Sequence, residues 1–223
     1  MRCTSQLEDK VRRQGFLRPA GVDEAGRGAL FGPVFAAAVI LDPQRPIQGL
    51  ADSKALLPCR RDSLAALIRE NAVAWAVASA DSGEIDAINI LQASRLAMRR
   101  AVEALSPAPD YLLIDACTVD LALPQESLIK GDARVSAIAA ASILAKTFRD
   151  ACVDSLDRDY PGYGLARHKG YPTAEHRDAL LRLGPTPLHR RTYAPVREAL
   201  KACLLQPDPH SNSNPGYAQG SAQ

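Results

Sequence analysis

Apolar positions along this chain recur in two rhythms. Val34 to Leu41 is a continuous apolar run, and Ala72 to Ala80 is a second, with Trp75 and Val77 alternating; both predict strands. Pro19-Ala20-Gly21 opens a strand that ends near Asp23, and Tyr111 to Ile114 predicts a short buried strand ending at Asp115. Ser127 to Ile129 predicts an edge strand. Helical spacing marks Pro58 to Asn71, with Leu64, Leu67 and Ile68 on one face, and Asn89 to Leu105, with a stripe through Ile90, Leu91, Leu96, Ala97 and Val102. An alanine-rich helix follows from about Val135 to Leu156, then Thr173 to Leu183 with Thr173 as N-cap, then Pro195 to Leu205. Residues 1–17 read as a short amphipathic lead-in, and Ser82 to Asp86 as a helical turn. Lys130-Gly131-Asp132 is a turn, with Asp132 placed to cap the long helix or meet its positive end.

Strands alternating with helices predict an α/β fold. The first two strands are joined by a short turn, so they should run antiparallel. Residues 18–205 carry this pattern. From Gln206 on, Pro, Ser, Asn, Gly and Gln dominate without periodicity, which predicts a disordered tail. No internal repeat is visible.

Candidate chemistry gathers in Gly21-Val22-Asp23-Glu24-Ala25-Gly26-Arg27-Gly28. Neighbouring strand side chains point to opposite faces, so Asp23 and Glu24 can share a ligand only where the strand ends. Gly26 and Gly28 allow positive φ and close backbone approach. Arg27 carries a fixed charge suited to phosphate. A solvated loop with a capping acid would look the same in isolation, and the rest of the chain decides. A P-loop is excluded, because its Gly-x-x-x-x-Gly-Lys-Ser/Thr order is absent. Asp115 and Asp132 are two further acids at element ends. Four such carboxylates suit hard divalent cations, including a pair of ions flanking a phosphodiester. None of the four histidines has an obvious serine or cysteine partner for a nucleophilic triad.

Composition narrows the class without naming it. At 223 residues, 47% hydrophobic and 23% charged, the chain is an ordinary globular protein with room for one sizeable core or two small domains. No apolar run is long enough to cross a bilayer, and Met1 to Arg18 has no signal-peptide core. Five dispersed cysteines without a Cys-x-x-Cys pair fit reduced thiols in the cytoplasm. Net charge is only +2, yet Ala166 to Lys201 holds eight Lys or Arg against three Asp or Glu, so the remainder is acidic. Cations on one side and carboxylates on the other suit an enzyme that cleaves a polyanion.

The motifs together resemble bacterial ribonuclease HII, the type 2 ribonucleases H. The matching blocks are GVDEAGRGALFGPV, the DSK of Asp52 to Lys54, INILQASRLAMRRA, YLLIDA, KGDARVSAIAAASILAKTFRD, YPGYGLARHKGYPTAEH and GPTPLHRRTYAPV, in the family's order from about residue 20 to residue 197. The resemblance implies a ribonuclease H-like fold: a mixed central sheet flanked by helices, with a helical C-terminal part. It implies hydrolysis of the RNA strand of RNA–DNA hybrids and cutting 5′ of single ribonucleotides embedded in duplex DNA, leaving 3′-hydroxyl and 5′-phosphate ends. It implies Mg2+ or Mn2+, two ions in the catalytic complex, held by Asp23, Glu24, Asp115 and Asp132 as catalytic acids. Asp150 is another acid in a matched block; inside the long helix it reads as structural, in a surface ion pair.

For the substrate, Gly26-Arg27-Gly28 matches the turn that reads the ribose 2′-hydroxyl, the group that separates RNA from DNA. Tyr171 matches the tyrosine that packs on the neighbouring deoxyribose. Lys54 is expected to hold a phosphate, and Lys169, Arg190 and Arg191 are candidate backbone contacts, while His176 and His189 read as structural. One departure is Ala116-Cys117 after Asp115, where many members have glycine. The expected partners are RNA–DNA hybrid and ribonucleotide-containing duplex; no membrane and no obligate protein partner are expected, and a monomer is. The rivals are ribonuclease HIII, whose extra N-terminal substrate-binding domain has no counterpart ahead of Gly21, and a silent hybrid-binding module, which should lack one of the metal acids.

Overall fold

Successive residues of a strand face opposite sides, so an unbroken apolar strand must feed two cores. Strand β2 (Val34–Leu41) does this. Its Ala36, Ala38 and Ile40 join one apolar cluster, and its Ala37 and Val39 join another. The computed structural model describes residues 3–205; the tail from Gln206, expected to be disordered, lies outside the described residues. With β1 (Pro19–Ala25), β3 (Ala72–Ala80), β4 (Tyr111–Asp115) and β5 (Gln125–Leu128), β2 forms one mixed sheet in the order β3-β2-β1-β4-β5. β1 is antiparallel to β2, as the short turn required, and parallel to β4, which is parallel to β5.

One face of the sheet packs on α3 (Ser82–Glu103) through Ile85, Ala93, Ala97 and Met98. The helix breaks at Asn89 (φ 66°), whose side-chain oxygen accepts from the amides of Leu91 and Gln92, so the expected turn and helix are two segments of one element. The other face packs on α4 (Ser136–Asp159) and α2 (Pro58–Asn71). Every residue of α4 from Ser136 to Ala145 is buried. Small side chains let it lie close to the sheet, and Gly21 completes the fit. A Cβ at Gly21 would fall on the backbone of Ala137 and Ile138. Beyond the sheet, the second half of α4 packs with α5 (Leu165–His168), α6 (Ala174–Leu183) and α7 (Ala194–Leu205) around Phe31, Val153, Leu180 and Val196. The Thr173 side chain accepts from the His176 amide, as its N-cap role predicted.

Several local expectations need correction. The edge strand begins two residues earlier than expected, because the Gln125 amide locks onto both backbone groups of Val119 and draws that end into the ladder. Asp132 does not cap α4. It sits in a 3-10 turn (Gly131–Ala133), and the N-cap residue is Val135, with no side-chain cap. The free amide of Ala137 is taken instead by Glu8 Oε1 at 2.8 Å, from α1 (Gln6–Arg13). Asp150 is not a surface pair: it is buried between Arg61 (3.1 Å) and Lys146 (2.7 Å).

Two predictions follow from backbone fit. Gly21→Ala should destabilise the protein by about 3 kcal/mol or more, because the clash is with helix backbone, which cannot swing away. Ala116 occupies the left-handed region (φ 55°), so Ala116→Gly should stabilise by about 1 kcal/mol. Urea denaturation of each variant checks both.

Candidate active site

The strand alternation that builds the cores also aims the acids. On β1, Ala20 and Val22 face α3, so Gly21 and Asp23 face α4; on β4, Leu112 and Ile114 face α3, so Leu113 and Asp115 face the other side. The two strands are parallel, and Val22 is in register with Ile114. Asp23 and Asp115 therefore leave the C-terminal ends of adjacent strands on one face, where open α/β sheets place their sites. Glu24 has the opposite parity, one residue before the end of β1 and past its pairing with β4. Asp132 arrives from the turn before α4, and the amide of Gly131 donates to Asp115 Oδ1 at 2.7 Å, which ties that turn to β4.

The acids feel one another. Asp23 is 3% exposed, and burial, then Glu24, then Asp115, push its carboxyl well above the usual range, against hydrogen bonds from Ser142 and the Glu24 amide. Burial also raises Glu24, and Asp115 adds to it, while Arg27 and Lys54 oppose. Burial raises Asp132, helped by Asp115 and Asp52. Burial works against the charge of Lys54, but Asp23, Asp52, Asp132 and Glu24 outweigh it and hold its pKa up. Among the described residues no three His, Cys, Asp or Glu side chains close into a ready cage. The donor set is instead an open group of oxygens with excess negative charge. That suits Mg2+ or Mn2+, which keep waters and substrate oxygens beside one or two carboxylates.

The expected substrate residues divide by exposure. Arg27 is exposed and reaches Glu24 Oε1 at 3.3 Å; Lys54 is exposed, with Nζ 3.9 Å from Asp132. Gly28 is exposed, and a Cβ there would have only Tyr171 Cε1 within reach, at 4.0 Å. Gly26 has φ +98° and packs directly on the Arg149 side chain, whereas Gly28 is not in the left-handed region. Of the two glycines, Gly26 uses the freedom of positive φ and Gly28 does not. Tyr171 is half-buried, its ring under Lys146 Nζ (5.5 Å) and Arg149 Cζ (5.1 Å). Lys169 pairs with Asp154, and Arg191 is exposed, its amide donating to Asp86.

Arg190 is a correction. It is 0% exposed, with Nε donating to the Gly32 carbonyl (3.0 Å) and Nη1 to the Arg27 carbonyl (2.9 Å), so it braces the turn and cannot meet a substrate phosphate. His176 and His189 are buried and joined Nε2 to Nε2 at 3.1 Å. Burial lowers their pKa values to about 4 and about 3, consistent with neutral rings in a structural pair.

Sequence reasoning missed the supports behind the acids. Thr4 bridges to Val135, its amide donating to the Arg134 carbonyl and its carbonyl accepting from the Ser136 amide. Cys3 Sγ donates to the Asp132 carbonyl at 3.3 Å. These contacts and Glu8 pin the Asp132 turn from the N-terminal side. The Ser53–Ser142 hydroxyl pair (2.9 Å, buried) anchors the Asp52-Ser53-Lys54 loop to α4. Only the 1% exposure of the acidic Glu8 marks it out, and that is invisible in sequence.

The chain is similar to proteins of known family. Residues 20–196 match the family model for ribonuclease HII. The chain is 61% identical over 196 residues to the ribonuclease HII of Solibacter usitatus, covering 88% of this chain and 86% of that protein. It is 60% identical over 183 residues to that of Chromobacterium violaceum, covering 81% and 92%. The crystal structure of ribonuclease H2 from Pyrococcus horikoshii superposes with a TM-score of 0.71 at 25% identity, over 85% of this chain and all of that one.

The crowded carboxylates predict a stability effect. A native carboxyl whose pKa is raised binds its proton more tightly than the unfolded chain does, so folding loses stability as pH rises through that native value. Asp23→Asn removes the charge and keeps an acceptor for the Glu24 amide. In metal-free buffer it should raise Tm at pH 8 by roughly 2–4 °C, shrinking towards zero near pH 4. Thermal melts across that pH range check the sign.

Proposed function

The chain belongs to the ribonuclease HII family, and from that premise we propose that it cuts on the 5′ side of single ribonucleotides in duplex DNA by two-metal-ion catalysis. It is a ribonuclease H, an endonuclease acting on the RNA strand of RNA–DNA hybrids. The proposal reaches beyond that activity to the junction substrate, the ions and the ends produced, 3′-hydroxyl and 5′-phosphate. It is carried by one juxtaposition: four mutually interacting acids, of which Glu24 meets Arg27 of the 26–28 turn, while Tyr171 stands against Gly28.

Asp23, Glu24, Asp115 and Asp132 would hold the ions, Mg2+ or Mn2+. When bound, such ions polarise a water and compensate charge on the leaving oxygen. The chain's own groups orient the strand. Gly28 leaves the turn open, so a ribose can approach backbone that a side chain would screen. A 2′-hydroxyl satisfied there is lost with a deoxyribose, at about 1–3 kcal/mol for the unpaired group. Arg27 and Lys54 lean on Glu24 and Asp132, and both are exposed enough to turn to phosphates. The Tyr171 ring packs on a sugar that lacks the hydroxyl. Lys169 and Arg191 remain candidates for contacts farther along the backbone, so binding should weaken with salt.

Cleavage of a duplex carrying one ribonucleotide, with the cut mapped, tests the proposal. The cut should fall 5′ of the ribonucleotide and require added Mg2+ or Mn2+. Asp115→Asn should slow it by about 100-fold or more, since losing a ligand should cost at least what losing a supporting partner costs. Tyr171→Ala should slow this substrate sharply and a continuous hybrid less. A cut elsewhere, or near-native turnover by Asp115→Asn, contradicts the assignment.

A further inference from the structure

Two arginines lie wholly buried behind the turn at 26–28. Arg149 and Arg190 are each 0% exposed. Buried cations are ordinarily paired with carboxylates. Here the hydrogen-bond partners are backbone carbonyls and one hydroxyl. Arg149 donates to the carbonyls of Lys169 (3.0 Å) and Phe31 (3.3 Å); Arg190 donates to those of Gly32 and Arg27 and to the Tyr193 hydroxyl. Arg149 Nε and Arg190 Nη2 are buried without a partner among the described residues. Burial lowers both pKa values, yet a guanidinium stays charged in proteins.

The carbonyls they hold belong to the two parts that face the sugars. Arg149 packs where a side chain at Gly26 would be, so its guanidinium is the floor of the turn. Its carbonyl partner Lys169 lies two residues before Tyr171, and its Cζ stands 5.1 Å from the Tyr171 ring centre. Leu30, just past the turn, donates its amide to the carbonyl of Gly170 at 2.8 Å. One planar group thus touches the turn, the loop that carries Tyr171, and the ring itself.

We propose that Arg149 is a specificity-determining positioning residue, whose guanidinium sets the spacing between the 26–28 turn and the Tyr171 ring so that two adjacent sugars are read as one unit. This rests on the assignment of the turn and Tyr171 to the two sugars. Lysine keeps the charge but not the planar fork, and it cannot hold both carbonyls in the same geometry. Arg149→Lys should therefore lower the ratio of cleavage at a single embedded ribonucleotide to cleavage of a continuous hybrid by roughly tenfold. The loss should fall on kcat for the embedded substrate more than on KM, because the ring would be misplaced and not absent. If Arg149 acts through Tyr171, the double variant Arg149→Lys/Tyr171→Ala should show no lower ratio than Tyr171→Ala alone.

The test measures both substrates with the wild type, the two single variants and the double variant, at one metal concentration. Thermal melts and far-UV circular dichroism define the folded fraction to which rates are normalised. Should Arg149→Lys fail to fold, Arg149→Gln, which keeps a planar donor without the charge, replaces it in the same cycle. Equal losses on the two substrates, or additive effects in the double variant, overturn the inference while leaving the sugar assignments standing. An unchanged ratio for Tyr171→Ala removes those assignments and the inference with them, and is recognised by that single variant alone.

Discussion

Helix α4 can reach the sheet only because nothing stands between them at Gly21. Its Ala139, Ala140 and Ala141 pack with Ala37 and Val39 of β2, and a Cβ at Gly21 would meet helix backbone at Ala137 and Ile138. That approach decides where everything else falls. It sets the Asp132 turn at the head of α4 beside Asp115, and brings Ser142 to Asp23. Two turns on, it carries Lys146 and Arg149 to the Tyr171 ring and lays Arg149 beneath Gly26. The same helix continues into the C-terminal layer through Val153. Loosening it would move the acids, the 26–28 turn and Tyr171 together, which a loop-borne site would not do.

The site is left electrically unfinished on two sides. Towards the sheet end, carboxylates outnumber nearby cations, so burial and mutual repulsion raise Asp23, Glu24 and Asp132. Behind the turn, two guanidinium groups lie buried with only neutral acceptors. Each arrangement costs stability in the free protein. The acids lie where a cation could offset their charge, whereas the two buried arginines spend theirs on the backbone carbonyls of the turn and its neighbours. Asp150, by contrast, is paired with Arg61 and Lys146.

Most of this was legible in the chain, and the exceptions share one cause. Elements follow from local pattern, so the continuous run of β2, the Pro-led α2 and the Thr173 cap stand where periodicity placed them. The acids were legible because a carboxylate at the end of an apolar strand has no place in a core. Asp150 and Arg190 were misplaced because sequence does not tell a charged residue on the surface from one packed against backbone carbonyls or a distant arginine. Arg190 contacts Gly32 and Arg27, more than 150 residues away. Glu8 was missed because it caps a helix 129 residues farther on. The departure at Ala116 was legible in outline, and φ 55° gives it physical meaning: the chain turns there into a region that glycine enters without strain.

The two glycines of the turn look alike in sequence and differ in what they permit. Gly26 is fixed from within, by positive φ and by the arginine beneath it. Gly28 is under neither constraint and is exposed; among the described residues beyond its chain neighbours, a Cβ there would meet only Tyr171, at 4.0 Å. Glycine at the first position serves the protein's own packing, while at the second its bareness faces whatever approaches. The turn is thus rigid where it meets Arg149 and bare where it faces outward. Backbone left bare in this way can be approached closely from outside, which a side chain at Gly28 would prevent.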